Sequence, residues 1–239
     1  GIGRETALLF ANNGAQVVVV DRNTQAGLET LALLNSVGGK GHFVEAEVAD
    51  ARQVEAMIEA AVSVFGRIDC AVNNAAVAPD SAPIAELDDR EFTKIIDVNL
   101  RGVALCLKYE IRQLIRQATG GSIVNIGSTR SFKANPNAPA YTAAKFGVIG
   151  LTESAAVAYG PYGIRVNAVC PGVVDTPMVK GRRQSGLEDD RKYLARVGGV
   201  LGRFGRPSEI AEAALWLCSD ASSYVTGHSL LVDGGFLAR

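Results

Sequence analysis

The sequence predicts an α/β fold, in which helices cover both faces of a parallel β-sheet. Apolar residues make up 48% of the 239-residue chain and charged residues 21%, which is enough for one large core. The run "QVVVV" at 16–20 is rich in β-branched residues, as in a strand that is buried on both faces. Strand-like and helix-like segments alternate from there onwards, which indicates parallel strands joined by crossover helices.

Each element is indicated by its own pattern. Short apolar runs predict strands at "QVVVV" (16–20), "HFVEAEV" (42–48), "DCAVNNA" (69–75), "GSIVNIGS" (121–128), "IRVNAVCP" (164–171) and "SLLVDGG" (229–235). Apolar residues at helical spacing predict helices at about 3–13, 24–37, 51–65, 89–117, 139–160 and 207–219. The order of these elements is that of a doubly wound, Rossmann-like sheet.

The chain opens differently. "GIGRETALLF" passes from two glycines straight into a helical pattern with no strand before it. A doubly wound sheet needs its first strand in the middle, so we expect an additional strand upstream of Gly1. A helix that begins at a glycine is the simpler alternative. We expect residues 1–239 to form a single domain, because no linker, repeat or low-complexity segment interrupts the pattern.

Charge and cysteine content exclude several classes of function. The 24 basic and 25 acidic residues give a net charge of −1, which predicts no binding to nucleic acid or to an anionic membrane. No apolar run is as long as a membrane span, and no secretory signal is recognisable. The four cysteines are scattered and the chain has two histidines, so we expect free thiols, no metal site and a cytoplasmic location.

The two glycines at the start have the composition of a phosphate-binding loop. In Gly1-Ile2-Gly3 the glycines would let the backbone approach a pyrophosphate at the helix N-terminus. Asp21 ends the next predicted strand, about 20 residues on, where a carboxylate accepts from the hydroxyls of an adenosine ribose. Asp21 would repel a 2′-phosphate and favours NAD, whereas the neighbouring Arg22 could pair with that phosphate. The alternative for Asp21 is an N-cap of the following helix.

Further motifs follow in a fixed order. They are "NNAA" (73–76), Asn99 in "DVNL", Ser128 in "VNIGS", Tyr141-x-x-x-Lys145 and "PGVVDT" (171–176). Together with "GIG" and Asp21 they resemble the short-chain dehydrogenase/reductase family over nearly the whole chain. The resemblance implies a compact single-domain enzyme that transfers a hydride between NAD(H) and a secondary alcohol or ketone.

Tyr141 and Lys145 lie one helical turn apart, a spacing that alone indicates only a shared helix face. An isolated phenol has a pKa of about 10 and is a poor base at neutral pH. A neighbouring ammonium lowers that pKa, and Lys145 can also reach the nicotinamide ribose. Ser128 can hydrogen-bond the substrate oxygen. The resemblance implies that Asn99 shapes its helix and holds a water that links Lys145 to solvent.

The resemblance also implies a set of dinucleotide contacts. The predicted cofactor-binding residues are Gly1, Ile2, Gly3, Asp21, Glu47, Val48, Asn74, Ala75, Tyr141, Lys145, Pro171, Gly172, Val174 and Thr176. Glu47 stands where the family usually has an aspartate that contacts adenine, and Ala76 replaces the usual glycine. Thr176 would clamp the nicotinamide carboxamide, and the alternative is that it caps the next helix.

Substrate identity has weaker signals. Arg130, two residues after Ser128, stands where the family usually has a small residue, and we expect either a contact with a substrate carboxylate or a solvated surface arginine. Ser128 and Tyr141 complete the predicted substrate contacts. The charged segment 178–200 corresponds to a mobile lid in the family, or to a solvated helical pair.

Two other functions fit the same motifs. One is an NADPH-dependent 3-oxoacyl thioester reductase, and the other is a non-catalytic dinucleotide sensor, which would not need Ser128, Tyr141 and Lys145. A sugar-nucleotide epimerase is disfavoured because only 94 residues follow Lys145. The helical segments 89–117 and 139–160 have more apolar surface than one sheet face needs, which in the family indicates a homotetramer.

Overall fold

The computed structural model describes residues 1–183, 194–195 and 198–239. Strands and helices alternate along the chain, which confirms the predicted α/β class. The strands are β1 Gln16–Asp21, β2 Lys40–Glu45, β3 Cys70–Asn73, β4 Gly121–Ile126, β5 Ile164–Pro171 and β6 Ser229–Val232. The helices are α1 Ile2–Asn12, α2 Thr24–Ser36, α3 Ala51–Phe65, α4 Asp89–Ile96, α5 Gly102–Gln117, α6 Pro139–Tyr159, α7 Pro177–Arg183 and α8 Pro207–Cys218.

The strands form two parallel sheets rather than one. β1 pairs with β2, and β3, β4, β5 and β6 pair in that order. Helices pack on these sheets through separate apolar clusters. One cluster joins α5 and α6 to β4 and β5, and another joins α8 to the opposite side of the same strands.

A gap separates the two sheets. Within the described part of the chain, β1 pairs only with β2 and β3 only with β4, so one edge of each strand has no partner. Residues of both strands line the same cavity, whose volume is about 1740 Å³. A parallel strand placed there would pair with both edges and join the sheets. The strand expected upstream of Gly1 stays a prediction.

The predicted helix 89–117 is interrupted. α4 ends at Ile96, a five-residue π-helical segment covers Asp97–Arg101, and α5 continues from Gly102. Single π turns inside α-helices leave backbone and side-chain groups in positions that an α-helix cannot provide, and they often occur at functional sites. Asn99 lies in the middle of this segment.

Two element boundaries differ from the prediction. β2 ends at Glu45 rather than at residue 48, and Ala46 continues only one more backbone bond to β1, from its N–H to the Asp21 carbonyl. In the predicted lid segment 178–200, residues up to Arg183 belong to α7, while 184–193 and 196–197 lie outside the described residues. The expected lid is therefore untested over most of its length.

Candidate active site

The carboxyl ends of β1, β3, β4 and β5 open into the cavity between the two sheets. Almost all of the predicted site residues lie in the strand ends, loops and helices around this cavity. Those that line the cavity are Gly1, Ile2, Gly3, Asp21, Glu47, Val48, Asn74, Ala75, Ser128, Arg130, Tyr141, Lys145, Pro171, Gly172, Val174 and Thr176. Asn99 is the one predicted site residue that does not reach this wall.

Tyr141 and Lys145 occupy the cavity side of α6. Pro139 begins this helix at a position where its missing N–H costs nothing, so Tyr141 falls in the first turn. Tyr141 is half-buried, and the Lys145 Nζ lies 5.7 Å from the centroid of its ring. The two groups are close enough for the ammonium to stabilise a phenolate.

Lys145 is fixed at both ends. Its Nζ donates to the Ile126 carbonyl at the end of β4, with a distance of 2.7 Å, and its backbone carbonyl accepts from the Ser131 hydroxyl at 2.7 Å. The side chain is 3% exposed, and burial lowers the pKa of the ammonium to about 8. The lysine therefore keeps its charge at neutral pH while its remaining donors can turn towards the cavity.

Ser128 lies two residues after the end of β4 and lines the same cavity as Tyr141. Its backbone is extended, and its hydroxyl accepts from the Arg130 N–H at 3.1 Å to start a short helical turn. The hydroxyl thus caps this turn, and Ser128 also lines the cavity. Its own proton stays available for an oxygen in the cavity.

Asn99 acts on a neighbouring loop. Its side-chain oxygen accepts from the Val77 N–H at 2.8 Å, and its amide donates to the Val77 carbonyl at 3.1 Å. The residue is completely buried in the π-helical segment. The side chain of Asn99 therefore holds the loop after β3, and the expectation that Asn99 shapes its own helix stays a prediction. The water expected to link Lys145 to solvent stays a prediction.

The N-terminal helix approaches the end of β3 closely. A Cβ added at Gly3 would lie 2.6 Å from Nδ2 of Asn74, so any other residue there would displace the end of the Asn74 side chain. Gly1 lies beside Pro177, and the first N–H groups of α1 have no partner within the helix. The start of α1 therefore lies between the carboxyl ends of β3 and β5, with its N–H groups directed at the cavity.

Asp21 and its neighbours form the opposite end of the cavity. The Asp21 carboxylate accepts from the Asn23 N–H at 2.8 Å, and Asn23 caps α2 by accepting from Ala26, so the alternative of Asp21 as the helix cap is wrong. Arg22 is paired with Glu47 at 3.0 Å, and both side chains are partly exposed. The Glu47 side chain thus binds Arg22, and its predicted contact with adenine stays untested.

The turn after β5 is tightly packed. A Cβ at Gly172 would lie 2.9 Å from the backbone of Asp233, so this glycine permits a close approach of two strand ends. The Thr176 hydroxyl accepts from the Val179 N–H at 3.4 Å, which is the capping role held open for it. The same hydroxyl can also donate, and its contact with a carboxamide stays a prediction.

Comparison with known proteins decides the family. A family profile described as enoyl-(acyl carrier protein) reductase matches residues 1–237. A short chain dehydrogenase/reductase from Aspergillus oryzae, astE, is 48% identical over 237 residues, which cover 98% of this chain and 90% of that protein. The chain belongs to the short-chain dehydrogenase/reductase family.

Other relatives agree with this assignment. The 2,5-dichloro-2,5-cyclohexadiene-1,4-diol dehydrogenase of Sphingobium indicum is 42% identical over 240 residues, covering 100% of this chain and 93% of that protein. The crystal structure of levodione reductase superposes with a TM-score of 0.94 at 37% identity, covering 100% of this chain and 94% of that one. The protein is thus an oxidoreductase of a family that acts on CH–OH groups with NAD or NADP.

The residues present fit a dinucleotide of the kind that short-chain dehydrogenases use. The close approach at Gly3 and the free N–H groups at the start of α1 suit a pyrophosphate. Asp21 lies at the end of β1 on the same cavity wall, and Lys145 and Thr176 lie at the other end. The cavity is also large enough for such a ligand, although part of its volume belongs to the gap between β1 and β3.

Arg130 borders the part of the cavity beyond Ser128. Its Nη1 donates to the carbonyls of Lys133 and Ala134 at 3.4 Å, and its guanidinium lies 5.6 Å from the Phe236 ring centroid. Phe236 is 6% exposed and lines the cavity as well. The Arg130 side chain is therefore half-buried at the cavity wall, and its contact with a substrate group stays a prediction.

Sequence patterns missed a buried polar chain beside the site. Asn73 donates to Glu110 and to Asn125 at 3.0 Å each, and Asn125 donates to the Thr152 hydroxyl at 2.9 Å. Burial raises the pKa of Glu110 to about 7. Glu110 could have been suspected, because it is an acidic residue on the apolar face of the predicted helix 89–117.

Two predicted absences concern other kinds of site. The described residues contain no cluster of histidine, cysteine and carboxylate side chains that could hold a metal ion. Among those residues, no helix is long and apolar enough to cross a membrane. All four cysteines have free thiols in the described structure.

Proposed function

We propose that the protein catalyses hydride transfer between NAD(H) and a cyclic secondary alcohol or its ketone. The observation that carries the proposal is that Tyr141, Lys145 and Ser128 line the same cavity as Gly1–Gly3, with the Lys145 Nζ 5.7 Å from the centroid of the Tyr141 ring. A bound nicotinamide supplies the hydride acceptor or donor. The side chains supply the proton chemistry and the alignment.

Tyr141 is the proposed acid–base group. In alcohol oxidation the Tyr141 phenolate takes the proton of the substrate hydroxyl as a hydride leaves the carbon that bears it. In ketone reduction that carbon receives the hydride, and the Tyr141 phenol gives its proton to the carbonyl oxygen. Lys145 stabilises the phenolate by its charge, and its bond to Ile126 holds that charge near the ring. The Ser128 hydroxyl donates to the substrate oxygen, where negative charge develops. Asn99 supports the site through the Val77 loop.

NAD is the proposed dinucleotide. Asp21 would accept from the adenosine ribose hydroxyls and would repel a 2′-phosphate. Arg22, the residue that could attract that phosphate, is engaged by Glu47. Gly1, Ile2 and Gly3 would hold the pyrophosphate, Asn74, Ala75 and Val48 would border the adenosine, and Pro171, Gly172, Val174 and Thr176 would border the nicotinamide.

A ring alcohol is the proposed substrate class. Support comes from the name of the Sphingobium relative, a 2,5-dichloro-2,5-cyclohexadiene-1,4-diol dehydrogenase, and from the apolar Phe236, which lines the same cavity as Ser128 and Tyr141. Arg130 offers a guanidinium at the same end, and it would bind a polar or carboxylate group on the ring opposite the reacting carbon.

A second candidate has one specific observation in its favour. The family profile that matches residues 1–237 is described as enoyl-(acyl carrier protein) reductase, which names an acyl thioester as substrate, so the NADPH-dependent 3-oxoacyl thioester reductase is the competing activity. A dinucleotide sensor is disfavoured, because buried contacts orient Lys145 towards a phenol that a sensor would not use.

The remaining proposals concern the protein as a whole. We infer one catalytic and cofactor-binding domain over residues 1–239, because loops from β1 to β5 line one cavity. Free thiols support a reducing, cytoplasmic environment. Phe146 and Val157 are exposed on α6 at 46% and 82%, and Ile115 is exposed on α5, which supports a homotetramer. Light scattering that gives a dimeric or monomeric mass would contradict the tetramer.

Turnover on a substrate panel tests the proposal. The protein would be assayed with cyclic secondary alcohols, cyclic ketones and a 3-oxoacyl thioester, each with NAD(H) and NADP(H). We expect the highest kcat/KM for a ring substrate with NAD(H), and we expect Tyr141→Phe to lower it by at least about 10²-fold. A preference for the thioester with NADPH, or unchanged turnover in Tyr141→Phe, would contradict it.

A further inference from the structure

Asp80 is a buried carboxylate that the proposed chemistry leaves without a role. It lies in the loop between β3 and α4 and is 1% exposed. Its Oδ2 accepts from the Ala140 N–H at 3.0 Å and its Oδ1 from the Tyr141 N–H at 3.1 Å. A loop residue about 60 positions upstream therefore binds the backbone of the proposed acid–base residue.

These two bonds complete the first turn of α6. The Ala138 side chain supplies no cap, Pro139 has no N–H, and the Thr142 N–H already donates to the Ala138 carbonyl at 3.0 Å. The N–H groups of Ala140 and Tyr141 are the ones that the helix leaves without acceptors, and Asp80 takes both. Buried N–H groups without acceptors cost about 1–3 kcal/mol each, and a carboxylate also interacts favourably with the helix N-terminus.

The loop that carries Asp80 is itself held at two points, by Asn99 and by the glycine turn at the start of α1. Asn99 holds Val77 by both its N–H and its carbonyl, three residues before Asp80. At the start of the loop, Asn74 packs against Gly3 at the N-terminus of α1. A continuous set of contacts thus leads from the glycine turn, through residues 74–80, to the backbone of Tyr141.

We propose that Asp80 is a positioning residue, which sets the distance of the Tyr141 hydroxyl from the glycine turn at Gly1–Gly3. This inference rests on the proposed function, since it assigns Asp80 to the same reaction. A misplacement of about 1 Å in a reacting group can cost about a hundredfold in rate. Asp80 would thereby affect catalysis without touching the substrate.

A simple helix cap is the competing explanation, and the chain offers a matched control for it. Asp50 caps α3 locally, and its Oδ1 accepts from the N–H groups of both Arg52 at 2.8 Å and Gln53 at 3.2 Å. Helix α3 carries none of the proposed catalytic residues. Asp80→Asn replaces one of the two accepting oxygens with an NH2 group that cannot accept, and Asp50→Ala removes the accepting oxygen of the α3 cap.

The experiment compares both variants in the wild-type and Tyr141→Phe backgrounds. We expect Asp80→Asn to lower kcat by about ten- to a hundredfold, with the Kd of NADH within about twofold of wild type, whereas Asp50→Ala leaves kcat unchanged. In the Tyr141→Phe background, Asp80→Asn should change the residual turnover by less than about twofold, because the group that it positions is gone. An unchanged kcat, or equal losses in both backgrounds, would overturn the inference.

A titration separates failure of this inference from failure of the proposed function. Absent turnover in the wild type would contradict the proposed function, and the ultraviolet tyrosinate signal of wild type minus Tyr141→Phe would still report the Tyr141 phenol. Removing the Asp80 charge alone would lower the titration midpoint, whereas moving the phenol away from Lys145 would raise it. We expect the midpoint to rise in Asp80→Asn. A lowered or unchanged midpoint would overturn the inference.

Discussion

The two ends of the cavity hold their functional residues by different means. At the Tyr141 end, Lys145, Asn99 and Asp80 are at most 3% exposed, and each makes hydrogen bonds to backbone atoms of a distant segment. At the Asp21 end, Arg22 and Glu47 have side chains that are 56% and 29% exposed and bind mainly each other.

This difference matches the demands of the two tasks. Proton transfer requires reacting groups within a few tenths of an ångström of their productive positions, and buried bonds provide that rigidity. Recognition of an adenosine tolerates more motion, and exposed ion pairs are worth only about 0–1 kcal/mol. Substitutions at the Tyr141 end should therefore have large effects on rate, and those at the Asp21 end should shift cofactor preference modestly.

Lys145→Met should have the largest effect. We expect kcat to fall by about 10²–10⁴-fold, because the phenol loses the charge that lowers its pKa. The variant should also unfold less readily at pH 7. The folded protein holds the ammonium at a pKa of about 8, below its ordinary 10.5, so burial of the charge costs stability below pH 8.

Kinetics and urea unfolding at several pH values check both effects. The gain in unfolding free energy should approach about 3 kcal/mol at pH 7 and should disappear as the pH rises from 8 to above 10.5, where the lysine is neutral in both states. A variant that keeps most of its turnover, or that is less stable than wild type at pH 7, would refute the role assigned to the buried charge.

Much of the catalytic end could be predicted from sequence, because its chemistry needs particular residue types at short spacing. Tyr141 and Lys145 share a helix face, and Ser128 follows a strand, so both patterns are local. Asp80 could not be predicted, since its partners are about 60 residues away and an acidic residue in a loop has no periodicity. The π-helical segment around Asn99 was likewise invisible, because the apolar spacing continues through it.

The pairing partners of each strand could not be predicted from sequence patterns either. Strand propensity identifies "QVVVV" as a strand, but the number of its partners depends on the neighbours that fold beside it. At the Asp21 end, the sequence left open whether Arg22 would face a phosphate. The pairing with Glu47, 25 residues away, was not predicted from either residue alone.

Glu110→Gln should have an intermediate effect, on stability rather than on rate. Burial raises the pKa of Glu110 from 4.5 to about 7, so the folded protein binds this proton more tightly than the unfolded chain does. Wild-type stability should therefore fall as the pH rises from 4.5 to 7. The glutamine variant avoids that cost and should be more stable than wild type by up to about 3 kcal/mol at pH 8, with no advantage at pH 4.

Thermal unfolding of both proteins across this pH range measures the difference. Glutamine can still accept the bond from Asn73, so the comparison isolates the charge. An advantage that is the same at pH 4 and pH 8 would show that Glu110 ionisation does not limit the stability of the sheet.

Glu47→Gln should have the smallest effect. Release of Arg22 from its partner would let the guanidinium meet a 2′-phosphate, and we expect the ratio of kcat/KM for NADP to that for NAD to rise about two- to fivefold. Glu29→Gln is the matched control, because it breaks a comparably exposed pair with Arg4 at 3.1 Å between α1 and α2. A ratio that falls, or that rises equally in the control, would remove Arg22 from the account of cofactor preference.

A crystal structure with NAD(H) and a bound ring ketone would show directly whether Tyr141 is the acid–base group of the reaction. We expect the Tyr141 hydroxyl within about 3 Å of the ketone oxygen, with the Ser128 hydroxyl hydrogen-bonded to the same oxygen and Lys145 facing the nicotinamide ribose. A ketone oxygen bound by other groups, with the Tyr141 hydroxyl turned away from the nicotinamide, would contradict it.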